Sequence, residues 1–547
     1  MAKFVIKIES ILGGMAPNLF RGGPGQFAAS IGIDPDLGVD PDTVQSGNLG
    51  VKAAGVLSPS SYADISGAGL SGYVKWLLTC PQNELLYAYA SDGELISYSV
   101  VDSTPTESVI GTPTSGEGNG AAYYNNYIYL ATPTNISRYG PLDGTPTLVN
   151  TVWTGTTLGS QLALGNPTFP TQAGILYPNH PMHVHSDNKL YVGDFETADN
   201  ANQGRGKIHW IRTEQGTDEG DTNSGTTQNA FYLPYSYAPI AIASWGNDLA
   251  VLAIPLHATG VSSAVVQGRA VLFLWDAINA PALPYRAIPL IDPFASALLN
   301  HNGDLYVWSG NLNNGVRLSK YLGGHKLQQI AFFEEGYPPP AGAVDGIGNR
   351  IIWGAQTTYP ENSASVYAYG YKDANIPPAL HNIMTTTETT AASLGSNSFA
   401  VTAVKYAQQA SFILQRAIVA WKDGAATQNF GIDRQIGSSA ELAVWRSLTY
   451  SVGRPFKINK IVLTLGEAVD GSTIITPSIR VDDDATATNL TTINSTNYAA
   501  NQRRITLYPT IYGNTNFNFQ LRWTGTNSVS VTLPIIIEGE TLEDATQ

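Results

Sequence analysis

Hydrophobic and polar residues alternate with a period of two along most of the chain, in short runs that end at Asn, Asp or Gly. The clearest example is residues 182–212, where the runs MHVH, KLYVG and KIHWI are separated by an Asp187-Asn188 turn and a polar loop. Runs rich in β-branched and aromatic residues, broken by turn-forming residues, are typical of antiparallel strands. This stretch therefore predicts a β-meander.

Near copies of this unit recur along the chain, each with an apolar anchor two residues after a turn Asn or Gly. The clear anchors are Leu85, Ile128, Leu190, Leu249, Leu305 and Ile351, and a weaker seventh is Ile418. Successive anchors are 43, 62, 59, 56, 46 and 67 residues apart, which suits four strands per repeat. Such repeats pack radially, so we expect an all-β fold with a β-propeller of seven blades, six being the alternative number. An open solenoid of the same units is the structural rival.

The pattern divides the chain into three parts. Residues 1–60 contain clustered Gly, Pro and Asp and are predicted to form an extended Gly/Pro-rich arm. Residues 61–440 carry the repeats and form the predicted β-propeller. In residues 441–547 the strands are more widely spaced, which predicts a C-terminal β-sandwich of jelly-roll-like type.

The loops predict how the propeller is built and closed. Short turns join the first and second strands of each unit, whereas long polar inserts at 196–206, 255–268 and 356–364 join the second and third. These two classes of loop leave a meander on opposite faces, so we expect one plain face and one elaborated face. The unit anchored by Ile418 lacks an outer strand, and we expect residues 50–57 (GVKAAGVL) to supply it and close the ring.

Composition narrows the possible functions. Charged residues make up 13% of the chain, about half of the usual ~25%, and the net charge is −14. Because phosphate binding needs a basic surface, we expect no sequence-specific nucleic-acid partner. The single cysteine, Cys80, follows an apolar run and is interpreted as a buried thiol. Charges interrupt the apolar residues of the N-terminal run KFVIKI, so we interpret it as a strand and not as a signal peptide. No apolar run is long enough for us to expect a membrane span.

Two groups of residues suggest metal binding. His183 and His185 alternate on one strand with His180 close by, and could share a metal ion. Further ligands are distant in the sequence, so a polar strand lining the propeller channel is the favoured interpretation. The acidic stretches 218–221 and 482–484 lack the spacing of known calcium loops and are interpreted as solvated. We expect no metal and no other cofactor.

Candidate catalytic residues are equally weak. The Ser91-Asp92-Gly93 turn is like the Asp-box turn of sialidase-like propellers, but no arginine cluster or nucleophile pair accompanies it. Strand aromatics such as Tyr87, Tyr89 and Trp353 could stack on sugars, although aromatic residues in propellers more often pack between blades. We expect no catalytic residue and no enzymatic activity. A propeller that binds or hydrolyses host surface polysaccharide is the alternative function.

Three stretches resemble one known family. GQFAASIGIDPDL in the arm, the NxLYV type of blade, and GRPFKINKIVLTLG with FNFQLRWTG in the sandwich resemble β-propeller virion proteins of tailed bacteriophages, such as tail nozzle, hub or tail-tip components. The resemblance implies a structural subunit that assembles with copies of itself in a ring around the tail axis and contacts other tail proteins. It also implies a virion location after synthesis in the host cytoplasm. The elaborated loop face makes host surface glycan a further candidate partner.

The arm is predicted to mediate assembly. Leu19, Phe20, Phe27 and Ile31 are apolar residues in a Gly/Pro segment that cannot bury enough area to order itself. Each would gain about 1.5–3 kcal/mol on burial. We therefore expect these four residues to contact a neighbouring subunit.

Overall fold

The computed structural model describes residues 2–16, 22–33, 57, 61–67, 69–99, 106–113, 117–132, 135–153, 180–196, 205–214, 217–220, 231–255, 268–276, 284–310, 315–333, 338–357, 363–370, 378–385, 400–408, 415–422, 430–436, 443–484, 486–524 and 529–542. Within these residues the fold is all-β, with one short 3-10 turn at Ala341–Ala343. The all-β class predicted from the sequence is confirmed.

Five strands precede the repeats. They are β1 (Lys3–Ile8), β2 (Gly14–Met15), β3 (Gln26–Phe27), β4 (Ala29–Ile31) and β5 (Ser61–Asp64). None of them forms a blade by itself, and each pairs either within the N-terminal segment or with a distant part of the chain.

The repeats form successive four-stranded antiparallel sheets, called blades here and numbered along the chain. Blade 1 has β6 (Val74–Thr79), β7 (Leu85–Ala90), β8 (Leu95–Ser99) and β9 (Glu107–Gly111); blade 2 has β10 (Gly120–Tyr124), β11 (Tyr127–Ala131), β12 (Ile136–Gly140) and β13 (Thr147–Trp153). Blade 3 has β14 (Met182–Val184), β15 (Leu190–Glu196), β16 (Arg205–Glu214) and β17 (Thr217–Gly220), with β18 (Phe231–Tyr235) also paired to β16. Blade 4 has β19 (Tyr237–Trp245), β20 (Asp248–Pro255), β21 (Val271–Asp276) and β22 (Arg286–Pro289).

Three further blades complete the ring. Blade 5 has β23 (Phe294–His301), β24 (Asp304–Gly310), β25 (Val316–Tyr321) and β26 (Leu327–Phe333). Blade 6 has β27 (Val344–Ile347), β28 (Arg350–Thr357), β29 (Ser363–Gly370) and β30 (Ala379–Thr385). Blade 7 has β31 (Ala400–Gln408), β32 (Gln415–Lys422), β33 (Phe430–Ile436) and, as its outermost strand, β5.

The blades close on themselves. Every pair of neighbouring blades shares a hydrophobic cluster, including the last and first blades, where Ile418 and Ile432 pack with Leu77 and Leu86. The innermost strand β31 also contacts β6 directly. A closed ring of radial sheets is a β-propeller and not a solenoid, because a solenoid has no contact between its first and last repeats.

The closing strand comes from the N-terminal side of the propeller, but it is not the predicted segment. β5 pairs antiparallel with β33, with Ala63 opposite Arg434. Residues 50–56 lie outside the described part of the chain, and Leu57 is bonded to Val531 of the sandwich through both backbone amides at 3.0 Å. Because Leu57 is fully buried in the sandwich core, the chain reaches blade 7 only after leaving that core.

Aromatic residues fill the spaces between blades. Trp308 of blade 5 and Trp353 of blade 6 have ring centroids 5.9 Å apart, and Trp353 stacks on Tyr367 at 5.8 Å. Tyr87 and Tyr89 are at most 2% exposed. These five aromatic positions are packing residues, and sugar stacking on them is excluded by their burial.

Short turns between the first and second strands of each blade line one face, which we call the turn face. Asn125 and Asn126 in blade 2 both have positive φ, as do Asn302 and Gly303 in blade 5. Positive φ at both central residues is the type I′ geometry that matches the twist of a hairpin, and Asn and Gly adopt it with least strain. Residues of the long inserts on the opposite side lie mostly outside the described ranges.

The 3-10 turn lies against the innermost strands β6, β23 and β31. It follows the buried residues 338–340, all proline. A Cβ atom at Gly342 would overlap the carbonyl oxygen of Lys75, so only glycine allows this close approach. The proline-rich segment therefore packs across the channel side of blades 1, 5 and 7.

The C-terminal domain is a two-sheet sandwich. Its strands are β34 (Ala443–Arg446), β35 (Tyr450–Ser451), β36 (Phe456–Leu465), β37 (Ile475–Val481), β38 (Thr488–Asn489), β39 (Arg504–Leu507), β40 (Ile511–Gly513), β41 (Asn516–Trp523) and β42 (Val531–Thr541). One sheet has the order β1-β42-β36-β39 with β40 beside β36, and we call it the terminal sheet. The other has the order β38-β37-β41-β34-β4 with β35 beside β41, and we call it the junction sheet. The two sheets share one core.

Candidate functional site: the junction of the N-terminal segment, the sandwich and the propeller

The first strand of the chain is an edge of the sandwich. β1 runs antiparallel to β42, with Lys3 opposite Glu540 and Ile8 opposite Ile535. Its sequence KFVIKI alternates, so that Phe4 and Ile8 face the core while Val5 stays 56% exposed. The Phe4 ring meets Phe456 edge-on at 6.1 Å. Burial of this apolar face is what holds the N-terminus in the sandwich.

The next stretch folds back on itself and touches the propeller. The amide of Gly13 donates to the carbonyl of Gly25 at 3.0 Å, and β2 and β3 pair in parallel. Gly14 has a φ of +71°, and a Cβ atom there would lie 2.7 Å from the backbone of Leu380 in β30. Met15 packs against both the sandwich core and the cluster shared by blades 5 and 6. This loop therefore connects the two hydrophobic cores.

β4 joins the junction sheet to blade 6. On one side, Ser30 lies opposite Trp445 in β34, and the Ala28 amide donates to the Arg446 carbonyl at 3.0 Å. On the other side, the Ile33 amide donates to the Asn382 carbonyl at 3.1 Å. The Asn382 side-chain oxygen accepts from the Gly32 amide at 3.3 Å. The chain's own N-terminal segment is thus the contact layer between the sandwich and β30.

Two aromatic contacts complete the junction. The Phe27 ring lies 5.7 Å from the imidazole of His381 in blade 6 and 6.3 Å from the indole of Trp445 in the sandwich. Phe27 is 1% exposed. Arg446 is bonded to the Gln520 side-chain oxygen through Nε at 3.2 Å and Nη2 at 3.1 Å. Burial, together with the nearby Arg480, lowers the pKa of Arg446 to about 10.

These contacts correct the arm predicted over residues 1–60. Within it, β1 and β4 are strands of the sandwich and β2 and β3 pair with each other, while Phe27 and Ile31 are each 1% exposed inside this chain. Neither side chain is therefore at a surface where a neighbouring subunit could touch it. Leu19 and Phe20 lie outside the described residues. The prediction failed for Phe27 and Ile31 because a Gly/Pro-rich composition suggests an isolated arm, whereas partners hundreds of residues away order it.

The predicted histidines lie in blade 3 but do not converge. His183 Nε2 is 2.8 Å and His185 Nδ1 is 2.7 Å from the Ser244 hydroxyl in blade 4. His180 instead bonds the Gly193 carbonyl at 3.1 Å and is buried near Asp194. Across the described residues, no group of three His, Cys, Asp or Glu side chains is arranged to hold a metal ion. His183 and His185 join two blades.

The other predicted polar groups form turns. Asp482 has a φ of +49° and accepts backbone hydrogen bonds from Asn514 at 2.6 Å and Thr515 at 2.7 Å. Partial burial opposes ionisation of this carboxyl, but the backbone donors outweigh it and lower the pKa of Asp482. Asp92 accepts from the Ser71 hydroxyl, so the Asp-box-like turn is tied to the segment that precedes β6. The side chains of residues 218 and 219, and residue 221 as a whole, lie outside the described part.

The sequence alone did not indicate the residues of blade 6 that contact the N-terminal segment. Nothing in the run HNIMTT distinguishes His381 and Asn382 from other outer-strand residues. The one available signal was the run KFVIKI, which predicted a strand at β1 but not its partner. No helix in the described residues has the length and apolar character needed to cross a membrane.

No protein-family model matches the chain, and no curated protein matches it. Solved structures that resemble it are β-propellers. The β-propeller domain of Cps50 (Swd1) from Myceliophteria thermophila is 12% identical, with a TM-score of 0.40, and the match covers 69% of this chain and 99% of that one. The WD40 domain of Neurospora crassa Pan2 is 8% identical (TM-score 0.39; 69% and 94% covered). The WD40 propeller of Doa1 is 10% identical (TM-score 0.40; 69% and 97% covered). The likeness is one of fold alone.

Proposed function

We propose that this protein is a structural subunit of a bacteriophage virion, a tail component that assembles with copies of itself in a ring around the tail axis. The observation that supports the proposal best is the junction. A segment from the N-terminus supplies strands to both sandwich sheets and the outermost strand of blade 7, and contacts blade 6. A propeller and a sandwich sharing strands in this way resist relative motion, which suits a component that bears mechanical load.

The exposed apolar residues supply surfaces for assembly. Val109, Val149, Tyr235 and Phe332 lie on outer strands of blades 1, 2, 3 and 5, and each is more than 40% exposed. Tyr508 and Tyr512 of the sandwich are 76% and 57% exposed. Aromatic residues are enriched in protein interfaces. Leu19 and Phe20, which lie outside the described residues, remain predicted subunit contacts.

Electron microscopy tests the proposal. We expect the purified protein to form rings, and antibody-gold against it to label the tail of the parent particle. A Leu19→Ala/Phe20→Ala double variant should assemble less well while keeping the melting temperature of the parent protein. Ile291→Ser, at a side chain that is 71% exposed and is not one of these assembly residues, is the control for lost exposed apolar area. A protein that stays monomeric at high concentration and is absent from any particle would contradict the proposal.

A further inference from the structure

A cavity of about 420 Å³ opens on the turn face where blades 6, 7 and 1 meet. Its wall comes from the end of β6 and the turn after it, from β27, and from the end of β31. Cavities of this size are typical of small-molecule sites. Because the residues come from three blades, the closed ring is what assembles the wall.

One ion pair crosses the cavity wall from blade 7 to blade 6. Lys405 Nζ lies 3.0 Å from Asp345 Oδ1, and the Tyr406 amide donates to Asp345 Oδ2 at 2.8 Å. Both carboxylate oxygens of Asp345 therefore have partners. An ammonium has three donors, and the Lys405 side chain keeps 28% of its surface exposed. Lys405 can thus present hydrogen-bond donors to a ligand while its position is fixed by Asp345.

Glu84 provides a hydrogen-bond acceptor at the mouth of the cavity, and Cys80 in the cavity wall is uncharged. Glu84 is exposed at the mouth, in the turn between β6 and β7. Cys80 is 6% exposed, and burial raises the pKa of its thiol to about 12 despite the nearby Lys405. The thiol therefore stays protonated and is a poor nucleophile. Leu85 and Ile347 add apolar surface.

The charges select the class of ligand. An anion would meet the carboxylates of Asp345 and Glu84, and a cation would meet the ammonium of Lys405. A neutral polyhydroxyl molecule avoids both repulsions, because each hydroxyl both donates and accepts. Hydroxyls can donate to Glu84 and accept from Lys405 while a C–H face packs on Leu85. We propose that this cavity binds a neutral sugar residue, a binding activity that is independent of the tail-subunit function.

The test uses the full-length protein and a panel of glucose, galactose, mannose and N-acetylglucosamine, measured by saturation-transfer NMR and titration calorimetry. We expect saturable, millimolar binding of at least one of these neutral sugars. Glu84→Gln should weaken it about tenfold because a charge-assisted acceptor is lost, and Glu84→Trp should abolish it by covering the mouth. Gln82→Ala changes an exposed residue of the same turn that does not line the cavity, and should leave binding unchanged.

Three results would overturn the assignment. One is the absence of saturable binding across the neutral panel, and another is equal weakening by Glu84→Gln and Gln82→Ala. The third is tighter binding of glucosamine or glucuronate than of the neutral sugars, because the charge argument would then be wrong. Equal melting temperatures of the variants and the parent protein show that each result reports on the cavity and not on folding. Ring assembly by electron microscopy is a separate readout, so this inference and the tail proposal can fail independently.

Discussion

At the scale of single residues, the junction depends on a few side chains that touch both domains. Phe27 is the clearest, since its ring reaches a histidine of blade 6 and a tryptophan of the sandwich. Its neighbours Gly32 and Ile33 add hydrogen bonds to Asn382. Removing such a side chain leaves a cavity at the boundary of two cores, and neither core can collapse into it alone.

Phe27→Ala should lower the free energy of unfolding by about 3–5 kcal/mol, the usual cost of deleting a buried phenyl ring. Urea denaturation followed by tryptophan fluorescence measures this change. Val5→Ala is the matched control, because Val5 is 56% exposed on β1 and its loss should change stability by less than about 0.5 kcal/mol. Equal effects of the two substitutions would show that Phe27 is not buried at the junction.

The contact between blades 3 and 4 is predicted to weaken in acid. His185 Nε2 lies 3.2 Å from the Asn247 carbonyl and can donate to it, while Nδ1 lies 2.7 Å from the Ser244 hydroxyl and can accept from it. His183 Nε2–H can then donate to the same hydroxyl. Burial, with a smaller contribution from His185, lowers the pKa of His183 to about 4. Polar groups beside this contact include Tyr191, opposite His183 in β15, and Asp187, bonded to Tyr191. The Ser186 hydroxyl lies 3.4 Å from His185 Nε2, and the Asn300 side chain donates to the Ser244 carbonyl.

The direction of the pH effect on folding stability follows from the lowered pKa of His183. His183 takes up a proton near pH 6.5 in the unfolded chain but only near pH 4 in the folded protein. The neutral imidazole therefore contributes its full folding stability above pH 6.5, and this contribution is lost as the pH falls from 6.5 to 4. The loss should be on the order of 2 kcal/mol. Melting temperatures at pH 7.5 and 5 measure it, and His183→Gln should show a smaller drop than the parent protein. An equal drop in both would mean that other groups cause the acid effect.

At the scale of elements, local pattern predicted the strands well and their long-range partners poorly. Anchors such as Leu190, Leu249 and Leu305 are fully buried, as period-two alternation requires. The same alternation predicted that β1 is a strand, yet it could not indicate β42 as the partner. Alternation fixes which side chains face a core, but it does not say which core. The cavity at blades 6, 7 and 1 was missed for the same reason, because its wall comes from three distant segments.

The pairing of β5 with β33 can be tested by a cross-link. Ala63 and Arg434 lie opposite each other, and opposite residues in antiparallel strands are within disulfide range. Oxidised Ala63→Cys/Arg434→Cys protein should be more stable than its reduced form by about 2–4 kcal/mol, since the link closes a long loop. The single variant Arg434→Cys is the control for the effect on stability of losing the arginine side chain. Failure of the disulfide to form in the folded protein would contradict this pairing.

At the scale of the whole molecule, the propeller and the sandwich are expected to unfold together. Both share the N-terminal segment, through β1 and β4 in the sandwich and β5 in blade 7. A shared segment couples two cores, because opening either one exposes apolar residues of the other. The sequence predicted the two domains but assigned that segment to a separate arm, since its Gly and Pro content hides the short strands.

Deleting residues 1–33 should separate the two unfolding events. The deletion removes β1 and β4 together with the contacts to β30, so calorimetry should show two transitions in place of one, the sandwich melting first. Deletion of the C-terminal residues 543–547 is the control, because the described fold ends before them. A single transition at the parental melting temperature after the N-terminal deletion would show that residues 1–33 do not couple the two domains.

The pairing of β1 with β42 also has a consequence during synthesis. β1 can find its partner only after the whole stretch from Lys3 to Glu540 has been translated, because these two residues pair. At about 5–20 residues per second, β1 waits on the order of half a minute to two minutes. Throughout that delay it is an unpaired strand at risk of joining another nascent chain. Lys3 and Lys7, both exposed on β1, are the kind of charges that discourage such encounters until the correct neighbour arrives.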